Sequence, residues 1–203
     1  MRLRVKEVQD GLESAIDRIG AKKYYRRYCM DVIGENNVVI GEVLGTAIRM
    51  KAVKQDVTLN DGSEFSAISG RVDGFYSVKD FLLEDELFLK GETRAYILEQ
   101  IEFLEEYRTL GNRKKVLELT FEKMGAIIYA FDGEEWMNNL SEEEHERTWE
   151  EYDKLLLDNR WEYSDDFELF FKRRKTAFEA IMREIEEMDK FQAMLPDTLE
   201  SLE

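Results

Sequence analysis

An α+β fold is predicted from three features of the chain. β-Branched and aromatic residues broken by turn formers crowd the region from about 26 to 76, and three- and four-residue apolar spacing dominates after about 92. A single proline in 203 residues lets regular elements run long. The expected architecture is an N-terminal helix plus a small, curled antiparallel sheet, followed by a C-terminal helical bundle with a long antiparallel helix pair. Residues 1–90 form the helix-and-sheet region and residues 91–203 the acidic helical region, as two units or as one continuous domain.

Val5, Val8, Leu12, Ile16 and Ile19 recur at helical spacing, so residues 3–19 read as an amphipathic helix closed by Gly20. A basic, aromatic segment follows, from Lys22 to Tyr28. Strands are expected near 26–33, 38–53, 56–59 and 64–76. Glu35-Asn36-Asn37 supplies one turn, and Asn60-Asp61-Gly62 sits between apolar runs as a hairpin turn should. Gly41, Gly45, Gly70 and Gly74 suggest bulges or bends.

Ser77 with Asp80 caps a short helix that stops at Gly91. Thr93 opens a helix to about Leu110, with Ile97, Ile101 and Leu104 on one side, and Asn112 opens another whose stripe is Leu117, Phe121, Met124 and Ile128. Ser141 and Glu144 have the spacing of a capping box ahead of a helix over 141–160, with His145, Trp149, Tyr152 and Leu156 as its apolar stripe. From Ser164, a last helix carries Phe167, Phe171, Phe178, Ile181, Ile185, Met188 and Leu195 at a spacing near 3.5 and ends before Pro196.

Composition narrows the class. Twelve Phe, nine Tyr and three Trp supply more apolar area than a disordered chain carries. The lone Cys29 forms no internal disulfide, no apolar run approaches a membrane span, and the first residues lack the apolar stretch of a signal peptide, so a cytoplasmic setting without membrane attachment is expected. The net charge is −16, nearly all of it after residue 90, which disfavours direct binding of nucleic acid by that half.

Between Asp132 and Glu168, fifteen acidic residues face three basic ones, and all three tryptophans lie there. Glu142, Glu146 and Glu150 stand four apart, one carboxylate row with a rise of about 6 Å between neighbours. An ordinary solvated helix face would look the same. The sharper expectation is that Glu135, Trp136, Glu142, Glu143, Glu146, Glu150, Asp153, Trp161, Asp165 and Asp166 engage a basic, nucleic-acid-binding groove of a partner protein, by imitating a nucleic-acid backbone. Trp136 and Trp161 serve as anchors because they fall outside the regular stripe. Inhibition of a nuclease or defence complex, of the sort carried by a phage or other mobile element, would use this physics. Two basic segments, 22–27 and 172–175, could instead fold back and neutralise the patch.

Catalytic readings find little support in the residues. His145 is the single histidine, and its Glu142-x-x-His145 pairing has no second copy to complete a two-metal bundle site. Cys29 and His145 could form a thiolate dyad only if the fold joined them. Phosphate-loop and dinucleotide signatures are absent, and no loop has EF-hand spacing. No catalytic residue, cofactor or metal is therefore expected. The alternatives kept open are a structural protein that self-associates through the last helix and an enzyme of unrecognised class. Direct nucleic-acid binding through the Lys22–Tyr28 segment is weighed against that segment pairing with the chain's own acids.

Overall fold

The structure, a computed structural model, describes residues 1–6, 8, 10–72, 76–84, 92–129 and 140–174. One mixed sheet of seven strands runs through it, in the order β1-β2-β3-β4-β5-β7-β6. The strands are β1 (Arg2–Lys6), β2 (Tyr25–Ile33), β3 (Val39–Ile48), β4 (Ala95–Phe103), β5 (Ala126–Tyr129), β6 (Glu162–Ser164) and β7 (Leu169–Lys172). Six helices accompany it among the described residues: α1 (Gly11–Arg18), α2 (Met50–Asn60), α3 (Ser63–Ser69), α4 (Tyr76–Glu84), α5 (Leu110–Met124) and α6 (Glu142–Asp158). The fold is mixed α and β as expected, but the sheet is large rather than small. Strands from before and after residue 90 share it.

All neighbouring strands pair antiparallel except β4 and β5, which run parallel over Ala95–Leu98 and Ala126–Tyr129 and are joined by α5. A parallel pair needs a crossover long enough to return the chain to the same edge, and a helix supplies it. Alternation then buries both faces of the sheet. Tyr25, Ile48, Ile97, Ile128 and Phe171 point into a core closed by Ile16 of α1 and by residues of α2, α3 and α4. Met30, Val43, Tyr96, Leu98 and Ile127 point the other way, against Val116 and Leu117 of α5 and Leu156 of α6.

Several expected elements are different in kind. The helix expected over 3–19 is divided: Arg2–Lys6 pairs with β2, and helix begins only after Asp10, whose side chain accepts the Glu13 amide. The strands expected near 56–59 and 64–76 are helical, in α2 and α3. Asp61 and Gly62 do take left-handed conformations, at φ 51° and 70°, yet they join two helices instead of two strands. Asp56 fixes that turn by accepting the Phe65 amide at 2.7 Å.

The helix expected from Thr93 to Leu110 is the long strand β4. Opposite it, Leu44 faces Gln100 and Gly45 faces Leu98, so Glu99 is an extra residue in a bulge. The bulge switches the parity of the buried positions from Tyr96 and Leu98 to Ile101 and Phe103, which imitates helical spacing. Gly45 is required there, because a Cβ would lie 2.7 Å from the Tyr96 hydroxyl. The next expected helix starts at Leu110, capped by Thr109, and stops at Gly125 (φ 89°), so Ile128 belongs to β5. Phe170 and Phe171, expected in a long final helix, lie in the β6–β7 hairpin. The positive φ of Glu168 closes that hairpin. The rest of the expected final helix, and with it the self-association stripe and the antiparallel pair, lies outside the described residues.

Candidate interaction surfaces

Helix α6 begins where its sequence says it should. Ser141 accepts the Glu144 amide, and the Glu144 carboxylate accepts the Ser141 amide at 3.1 Å, a complete capping box. Ser141 also holds the Glu144 carboxyl below its ordinary range. Tyr152 and Leu156 fix the inner side of the helix, with Tyr152 under the Arg113 guanidinium at 4.7 Å. His145 and Trp149 are half-buried on the same side, and the indole N–H donates to His145 Nε2 at 3.3 Å.

With that side inward, Glu142, Glu143, Glu146, Glu150, Glu151, Asp153 and Asp158 are exposed. Among the described residues none of them enters an ion pair, and the i,i+4 pairs that the sequence offers, Glu143 with Arg147 and Glu150 with Lys154, do not close. Partial burial raises the Asp153 carboxyl above its usual range. Asp165 and Asp166 are exposed in the β6–β7 turn.

Trp161, expected as an anchor, is a core residue, only 5% exposed and packed against Tyr129. Falling outside the helical stripe placed it on the loop entering β6, where it fills the core beneath α6. Glu135 and Trp136 lie outside the described residues. Among the described residues the stretch presents Tyr163 of β6, 44% exposed, its ring tilted against Phe170. Burial first, then Glu168, Asp165 and Asp153, raise its phenol pKa, so it stands amid carboxylates from both the hairpin and α6. Leu157, also exposed, lies on α6. No sequence signal pointed to Tyr163: set between polar Glu162 and Ser164, it would be turned inward by strand alternation.

Of the two basic segments, 22–27 pairs with acids outside the acidic stretch, 172–174 reaches that stretch through Arg173 and Glu162, and Lys175 lies outside the described residues. Lys22 pairs with Asp17, Lys23 with Glu64, and Arg27 with Asp10 and Glu99. Arg173 reaches Glu162 at 3.8 Å, while Lys172 donates to the Asn159 carbonyl, its own pKa lowered by burial. Cys29 and His145 stay apart. Cys29 is buried on β2 beside Lys6 and Glu42, on the face opposite α6, and burial followed by Glu42 pushes its thiol up to about 11. Such a thiol is a poor nucleophile near neutrality.

A second feature comes from topology. Among the described residues β4 and β5 pair from Ala95 and Ala126 to Leu98 and Tyr129, and β4 runs on to Phe103 beside β3. The chain then turns through Tyr107 and Arg108 into the N-terminus of α5. Arg108 is exposed, and its Nε donates to the Phe103 carbonyl at 3.1 Å. In open α/β sheets, ligands settle outside the carboxyl ends of strands where connectivity changes direction, next to helix N-termini.

Among the described residues no three or more His, Cys, Asp or Glu side chains are placed to hold a metal ion, and no helix is long and apolar enough to cross a membrane. No protein-family model, curated protein or solved structure matches the chain.

Proposed function

We propose that the protein is a non-catalytic interaction protein whose α6 face engages a basic surface on a partner, most directly the nucleic-acid-binding groove of another protein, as an inhibitor that imitates the nucleic acid. The observation that carries this reading is that, among the described residues, the exposed carboxylates of α6 stand outside every ion pair. A row of carboxylates neutralises the positive charge of such a groove as phosphates do, at lower charge density, so the binding weakens as salt screens it. Tyr163 and Leu157 replace Trp161 as the apolar contacts at its border.

The test reverses Glu142, Glu146 and Glu150 to lysine and compares capture of basic, nucleic-acid-binding proteins from lysate, at rising salt, with that of the unaltered chain. Capture should fall steeply with salt for the unaltered chain and be lost in the variant. Unchanged capture by a folded variant overturns the reading.

Arg108, exposed beside the N-terminus of α5, favours a second reading: a protein that binds a phosphate-bearing small ligand there. Titration with pyrophosphate, followed through the backbone amides of Leu110, Gly111 and Asn112, tests it. Shifts confined to those amides and abolished in Arg108→Ala support it, and unmoved amides exclude it.

A further inference from the structure

Arg27, on β2, lies beneath α1 with its side chain only 6% exposed. Its Nε donates to Asp10 Oδ2 at 2.7 Å, and its Nη1 donates to Thr46 Oγ1 at 3.1 Å and to the Glu99 carboxylate. The Thr46 hydroxyl donates to that same carboxylate at 2.7 Å. These three strands thus present one polar row on the face that otherwise carries the core of Tyr25, Ile48 and Ile97. Glu99 is the bulged residue, one position past the last β4–β5 pair. Helix α1 closes the row from above.

The attachment of α1 to the sheet is narrow. Asp10 is both its N-cap, accepting the Glu13 amide at 2.7 Å, and the outer partner of Arg27. Glu13 accepts the Arg27 amide at 3.4 Å. The ion pairs of Lys22 with Asp17 and Glu13 tie α1 only to the turn that follows it. Of the helix's own residues Ile16 alone is fully buried, with Leu12 and Ile19 packed at the margin. At the C-terminal end stands Gly20, at φ 71° with open space around it, a position able to swing. An eight-residue helix does not persist without its contacts.

We propose that α1 is a hinged cover, held shut by the Asp10–Arg27–Glu99 clasp and turning about Gly20, which opens as a unit and uncovers the Arg27–Thr46–Glu99 row. The outer half of the clasp is where it yields. Asp10 is 36% exposed, so water reaches that bond, whereas Glu99 keeps the inner bond at 21%. Local opening of small, weakly attached units is a recognised low-energy motion of folded chains.

Native-state hydrogen exchange on the full chain tests the cover. Asp10→Asn keeps a good N-cap and removes only the negative charge that faces Arg27. Asp17→Asn is the control, since it breaks an ion pair of α1 that does not reach the sheet. In the unaltered protein the amides of Ser14 to Ile19 should exchange faster than those of β3 and β4. Asp10→Asn should speed them by about tenfold while β3 and β4 keep their rates, with Asp17→Asn close to the unaltered protein. The proposal is overturned if α1 exchanges in step with β3 and β4, if Asp10→Asn leaves α1 unchanged, or if Asp10→Asn speeds all elements together.

Discussion

The two sides of the sheet treat charge in opposite ways. Toward β1 and α1, charge is paired: buried Asp31 takes Arg4 and Lys6, Glu42 takes Lys6 at the surface, and buried Arg27 sits between Asp10 and Glu99. On α6, charge is turned outward and left to water. A buried ion that loses its partner strands the other in a poor dielectric, whereas an exposed carboxylate loses little. The first set is therefore committed to holding strands together, and only the second is free to recruit something else.

The largest effect should come from breaking the inward set. Arg27→Met leaves Glu99 and Asp10 without their cation and should cost about 3–5 kcal/mol in urea denaturation. Replacing Asp10 by Asn and Glu99 by Gln in the same chain should recover a good part of the loss; if it does not, the cluster is not the unit described. Of similar size, Trp161→Ala should cost about 3–5 kcal/mol, because the indole fills the core beside Tyr129 rather than the surface. A loss under about 1 kcal/mol would return Trp161 to the surface and to the partner-binding set.

Acid sharpens the same contrast. Hydrogen bonds from Arg4 and then Lys6 hold the Asp31 carboxyl below its ordinary value of about 4, outweighing its burial. At Asp10 burial works against ionisation, but the Glu13 amide and Arg27 overcome it. Both groups bind protons more weakly folded than unfolded, so their stabilisation is complete above about pH 4 and is lost as the pH falls through their lower folded values. Asp31→Asn should flatten that acid limb, read from thermal melting between about pH 2 and 5. On α6, Glu144, lowered by its capping box, should add to it.

The parts of this arrangement legible in the sequence are those set by neighbours in the chain. The capping box at Ser141 and the inner stripe of Tyr152 and Leu156 depend on residues within a turn or two, and β2 and β3 announce themselves by β-branched and aromatic residues between turn formers. What was not legible depends on contacts far along the chain. The parity of β4 is reversed by a bulge that only its pairing with Gly45 explains, and Asp61-Gly62 suits a helix junction as well as a hairpin. The pairing of Arg27 with Glu99 spans 72 positions and has no local trace. For the candidate surface, the carboxylate row was readable from four-residue spacing, but which aromatic faces water was not: Trp161 and Tyr163 differ by two positions and are buried and exposed respectively.

The smallest effect is the most discriminating. Glu142→Gln, Glu146→Gln and Glu150→Gln together remove three like charges from one row, each pair of which weakens the helix by a few tenths of a kcal/mol. If those carboxylates stand in water without partners, the triple variant should melt at the same temperature as the unaltered protein or slightly above it. Added salt should raise the melting point of the unaltered chain more than that of the variant, since screening relieves a repulsion only one of them has. A clear fall in stability would mean the row is held by the chain's own bases. Glutamine keeps the length and helix propensity of glutamate, so the charge itself carries the sign of the result.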